Sequence, residues 1–96
     1  MELCGLRLRN PTMLASGVLD ETARTMVEVA RAGAGAVVTK SVGMAPREGH
    51  ANPCVVELDV GLLNAMGLPN PGIEYFSDEV RAVKAEGATV IGSVIG

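Results

Sequence analysis

The residues able to do chemistry in this 96-residue chain gather in three short stretches: Ser16-Gly17, Lys40-Ser41, and the run GLLNAMGLPNPG from Gly61 to Gly72. Lys40 closes an apolar run, and a lysine there needs an anion or an electron-rich ring to offset its desolvation. It either faces such a ligand or is solvated or paired with a carboxylate; its position alone leaves both readings open. The Asn64 amide can offer a donor and an acceptor to a planar ligand, or can bond its own backbone in a turn. Ser16 beside Gly17 would let a flat cofactor approach the main chain, although a plain turn accounts for the pair as well. Gly67, Pro69, Pro71 and Gly72 set an irregular but rigid path, because Gly permits positive φ and Pro locks φ. A rigid, partly apolar loop of this kind is suited to holding something.

The elements that must position these residues follow from periodicity. Leu3 to Leu8 alternates around Gly5 and predicts a small hairpin. Thr12 to Ala15 is a short apolar run, expected as a strand buried on both faces and ending at Ser16-Gly17. Asp20 or Thr22 can cap a helix whose inner face is Ala23, Met26, Val27 and Ala30 and whose outer face is Arg24, Glu28 and Arg31, with Gly33 as its stop. Ala36 to Thr39 then forms a second buried strand, parallel to the first. Residues 42–70 lack a helical pattern and read as a functional excursion in which Cys54–Leu58 and Leu62–Ala65 pair through Asp59–Gly61. Ile73, Phe76, Val80 and Val83 line a second helix stopped by Gly87, and Thr89 to Val94 is a third buried strand. The divisions are therefore a hairpin (1–11), a first βαβ unit (12–41), an active-site excursion (42–70), and a helix with a third strand (71–96). In parallel α/β folds ligands sit at the carboxyl ends of the strands, where all three chemical stretches fall.

Composition narrows the function classes. The formal charge of -3, with Lys and Arg scattered, leaves no basic stripe for nucleic acid or a membrane surface. No leader pattern or apolar run of membrane-spanning length is present, which makes the cytoplasm the expected location. Cys4 and Cys54 belong to no Cys-x-x-Cys pair, so they read as reduced, buried thiols rather than metal ligands or a disulfide. His50 is expected to face water without a catalytic role, and the five Met residues are core filler. No GxGxxG, phosphate-loop or His-Glu-x-x-His pattern occurs.

Taken together, Asn10-Pro11, Leu14-Ala-Ser-Gly17, Gly33-Ala-Gly-Ala-Val-Val-Thr-Lys-Ser41, Pro46-Arg47 and Asn64-Ala-Met-Gly-Leu-Pro-Asn-Pro-Gly72 resemble the dihydroorotate dehydrogenases of the cytosolic class 1 type. The resemblance covers essentially the whole chain, and it is the order and spacing of the strings that make it specific. It implies a flavin-dependent oxidation of dihydroorotate to orotate in pyrimidine biosynthesis, with FMN as cofactor and no metal. It also implies an α/β fold, the N-terminal portion of a (β/α)8 TIM barrel preceded by a small β-hairpin. By motif, Ser16, Gly17, Lys40 and Ser41 look like flavin contacts. Lys40, Asn64, Ala65, Met66, Gly67 and Leu68 look like substrate contacts.

A barrel needs about 250 residues, so the chain resembles an N-terminal fragment that alone would be inactive. The family's catalytic base lies on a later loop, beyond Gly96, and neither Cys4 nor Cys54 matches it. Asp20 stands where many members of the family carry glycine. Two partner arrangements follow from the resemblance: a homodimer using fumarate, or an electron-transfer subunit carrying FAD and an iron-sulfur cluster that leads to NAD. Outside the family, Lys40 would serve as a Schiff-base lysine of another barrel enzyme, or as the anion contact of a non-catalytic binding module.

Overall fold

The computed structural model describes residues 1–96. Strand β1 (Glu2–Leu3) pairs antiparallel with β2 (Leu6–Arg7). The turn between them places Cys4 and Gly5 at φ 49 and 80, the backbone hand that matches strand twist in a two-residue hairpin. The expected N-terminal hairpin is therefore present, but Cys4 at its tip is exposed. Cys54 is half-buried, its thiol donating to Asn52 Oδ1 at 3.1 Å. Both thiols are free, and neither is buried, because each sits in a turn or loop rather than on a packed face.

The central sheet is β3 (Met13–Leu14), β4 (Ala36–Val38) and β7 (Val90–Ile91), parallel throughout and with β4 in the middle. Leu14 lies opposite Val37 and Val38 opposite Ile91. Helix α1 (Ala23–Arg31) joins the first two strands and α2 (Ile73–Ala85) precedes the third. Thr22 is the cap of α1, its Oγ1 accepting from Thr25 N at 3.2 Å, while Asp20 is engaged elsewhere. Glu79 of α2 accepts from Ala23 N at 2.5 Å, so an acid from one helix satisfies the positive end of the other. The helical faces are those that the periodicity predicts. Met26, Phe76 and Val83 are fully buried and join Val37 and Val42 in the core, while Ala23, Val27, Ala30, Ile73 and Val80 pack around them.

The strands depart from expectation in burial. Met13 is exposed and Leu14 half-buried, so β3 is not covered on both faces; it is an edge strand with one neighbour. Both residues of β7, on the other edge, are also only half-buried, and it is the middle strand that buries Ala36 and Val37. Within the excursion, β5 (Val55–Leu58) pairs with β6 (Gly61–Asn64) as a hairpin, and every residue of both strands is exposed. The accessible surface is 6618 Å². A compact monomer of 9.9 kDa would show about 5,200 Å². The chain is thus α/β, but its three parallel strands form an open sheet and close no barrel.

Candidate functional site

Three loops leave the carboxyl ends of the central sheet side by side, and each carries a hydroxyl two or three residues past its strand. Ser16 follows β3, Ser41 follows β4, and Ser93 follows β7. The parallel register aligns them. The Ser16 and Ser41 hydroxyls lie 3.3 Å apart and those of Ser41 and Ser93 2.7 Å apart, a polar line across all three strand ends. Thr39 anchors it from below, accepting from Ser93 N through its buried hydroxyl at 2.9 Å.

Lys40 lies at the same level. Only 5% of it is exposed, no carboxylate approaches its ammonium within ion-pair distance, and its Nζ donates to the Gly17 carbonyl at 2.5 Å. Within residues 1–96 this lysine is therefore neither solvated nor in a direct ion pair. Gly17 N–H donates in turn to Asp20 Oδ2 at 2.8 Å, which folds the segment after β3 back on itself. A side chain built on Gly17 would meet nothing within 4 Å, so the main chain is open to a flat group on that side. Ser16, Gly17, Lys40 and Ser41 thus converge as their strand-end positions require.

The Asn64 stretch is held differently. Asn64 is the last residue of β6, exposed and opposite Val55, so it is a strand-end residue rather than a turn amide. Ala65 N donates to Cys54 O at 2.7 Å, and Met66 O accepts from His50 N at 2.9 Å. Gly67 and Leu68 have φ of 80 and 55. A left-handed leucine is costly and persists only where its surroundings impose it. The His50 ring, though exposed, packs against Gly67 so closely that a Cβ there would lie 2.7 Å from its Cδ2.

Asn70, which sequence reasoning treated only as the end of the excursion, ties this loop to the lysine strand. Its Oδ1 accepts from Gly43 N at 3.2 Å and Gly72 N at 3.0 Å, and its Nδ2 donates to Leu68 O at 3.1 Å. Its backbone pairs with Arg47, while Ile73 N at the start of α2 donates to Gly43 O at 2.9 Å. The Pro-Asn-Pro setting was its signal, since an amide held between two prolines has little freedom. Ser93 was also missed; its place just past the third apolar run matches those of Ser16 and Ser41.

A separate cavity of about 320 Å³ lies at the opposite ends of the strands, among Arg7, Arg9, Arg31 and Glu86. Two of its three cations are engaged, Arg9 donating to the Ala30 and Ala34 carbonyls and Arg31 pairing with Glu86 at 2.8 Å, and it lies away from the converging strand-end residues, so it is not the candidate site. No three His, Cys, Asp or Glu side chains gather as a metal site would require.

Polar residues converging past the carboxyl ends of parallel strands that alternate with helices define the class: an α/β protein with the ligand-site layout of such folds. The family model for dihydroorotate dehydrogenase matches residues 1–96. The chain is 54% identical over 92 residues to the dihydroorotate dehydrogenase B (NAD(+)) catalytic subunit of Thermoplasma acidophilum, covering 96% of this chain and 31% of that protein. It is 55% identical over 96 residues to the protein of the same description from Methanosarcina mazei, with 98% and 31% covered. For that of Pyrococcus abyssi the identity is 52% over 96 residues, with 100% and 32% covered. The chain belongs to the dihydroorotate dehydrogenase family, and spans about a third of the length of these relatives.

Proposed function

We propose that this chain is the N-terminal part of a (β/α)8 barrel that binds FMN and oxidises dihydroorotate to orotate in pyrimidine biosynthesis. The observation that carries this reading is Lys40: a buried ammonium in no direct ion pair, fixed on the Gly17 carbonyl beside an open stretch of main chain. The surplus of accessible surface and the two free sheet edges support a larger barrel around it.

When bound, FMN supplies the acceptor for the hydride that leaves the substrate. Within this chain, Gly17 leaves room for its flat ring and Ser16 and Ser41 offer hydroxyls to its polar edge. Lys40 would face both cofactor and substrate and would supply positive charge where both carry electron-rich oxygen and nitrogen. Asn64 bonds the substrate ring with its amide, and the backbone of Ala65, Met66, Gly67 and Leu68 wraps it and excludes water. The base that takes the substrate's other proton lies beyond Gly96. On this reading 1–11 is the entry hairpin, 12–41 the first barrel unit, 42–70 the substrate loop, and 71–96 the next helix and strand.

The descriptions of the relatives name NAD+ and a catalytic subunit. We therefore favour NAD+, reached through a partner subunit with FAD and an iron-sulfur cluster, over a fumarate-using homodimer. No helix is long and apolar enough to cross a membrane, and the proposed location is the cytoplasm.

The test is anaerobic addition of dihydroorotate to the full-length protein while its visible spectrum is followed. A yellow protein that bleaches on addition supports the proposal. A colourless protein that takes up no FMN, or a flavin that stays oxidised, refutes it.

A further inference from the structure

Asp20 and Lys40 are the only charged side chains buried in the chain, 0% and 5% exposed. Both fasten to the same residue. Asp20 Oδ2 takes the N–H of Gly17 and Lys40 Nζ donates to its carbonyl, so an acid and a base grip one glycine from its two polar ends. The remaining carboxylate oxygen, Asp20 Oδ1, is buried with no hydrogen-bond partner, and no other buried side-chain oxygen or nitrogen is left in that state. The ion pairs of the chain, Arg24–Glu28, Arg31–Glu86 and Arg81–Asp78, are all elsewhere and exposed. Glu79, the carboxylate at the start of α1, is taken by Ala23 N.

A buried charge without compensation is expensive, whereas two opposite charges bonded to the two polar ends of one residue's main chain offset one another in a medium of low polarity. We infer that Asp20 is the counter-charge of Lys40: acting through Gly17, it makes burial of the lysine tolerable and holds its ammonium at the ligand face. Asp20 is thus a positioning residue. A simpler role, in which it only shapes the turn by accepting the Gly17 N–H, would need an acceptor but no charge.

This inference deepens the functional reading, since it takes Lys40 to be a ligand-facing lysine, but its test contains no substrate and no turnover. The full-length protein is made as Asp20→Asn, Lys40→Met and the double variant, and unfolding is followed by circular dichroism. Asp20→Asn keeps an oxygen for the Gly17 N–H and removes the charge. The expected result is strong non-additivity: each single variant is destabilised, and Lys40→Met costs at least tenfold less in the unfolding equilibrium constant when Asp20 is already Asn.

Additive effects, or an Asp20→Asn protein as stable as the parent, would overturn the inference. Should Asp20→Asn alone fail to fold, the double variant decides: a folded double variant supports the counter-charge, and an unfolded one overturns it. Failure of the flavin experiment with a coupled cycle would reject the activity and keep the charge pair. The reverse pattern would do the opposite.

Discussion

Replacing Asn70 with Ala should loosen the excursion at 42–70 more than any other single side-chain truncation in it. Asn70 is 8% exposed, and its amide serves Gly43 N, Gly72 N and Leu68 O at once. Truncation leaves two N–H groups and one carbonyl without that partner. Gly72 is buried, so its N–H bears the full penalty, whereas Gly43 is half-buried and water can replace part of the loss. With roughly 1–3 kcal/mol for each buried group left unsatisfied, the expected total is about 2–4 kcal/mol. Asn70→Asp keeps both accepted bonds but turns an oxygen towards Leu68 O, so its cost should fall between those of the parent and the alanine variant. Urea unfolding of the full-length protein reads this as a midpoint shift at constant slope. In parallel, FMN affinity should hold, because Asn70 touches none of Ser16, Gly17, Lys40 or Ser41, while orotate affinity falls. An alanine variant within about 0.5 kcal/mol of the parent, or an aspartate variant worse than alanine, would refute the reasoning.

Gly35→Ala drives a Cβ into the Asn10 carbonyl oxygen and places it 3.1 Å from Thr12 O, so backbone must move. Overpacking of this kind costs about 1–3 kcal/mol and should appear as a lowered thermal midpoint. Thr22→Ala removes the cap of α1 and should cost about 1 kcal/mol by chemical denaturation, while Thr22→Asp should be close to neutral. Ser41→Ala breaks the hydroxyl line between Ser16 and Ser93. It should weaken FMN binding by about 1 kcal/mol, roughly fivefold, in a fluorescence titration of the flavin-free protein. An unchanged affinity would remove Ser41 from the cofactor site.

The fold was legible wherever one residue's neighbours in sequence decide its surroundings. Met26, Phe76 and Val83 sit on helical stripes whose period alone marks the buried face. Gly5 marks a turn that its φ of 80 demands. The convergence of Ser16, Lys40 and Ser41 was legible for a topological reason, since parallel strands deliver their ends to one side. Burial of β3 and β7 was not, because an apolar run states what a strand can cover and not which neighbours it has. Asp20 was weighed as a helix cap, a local role, when its partner is the N–H of Gly17 three residues earlier. The bond of Asn70 to Gly43 and that of Ser93 to Ser41 join segments 27 and 52 positions apart, and no local pattern encodes those two pairings.

The Arg47–Asn70 bridge, together with the bonds from Gly43 to Asn70 and Ile73, draws the two feet of the excursion together at its base. Between those feet the chain is free to change length without altering the span it must close. Because the entropy of closing a loop grows only with the logarithm of its length, doubling it costs about 0.6 kcal/mol. The segment hung on this clasp can therefore be lengthened, shortened or exchanged while Lys40 and the start of α2 stay in place.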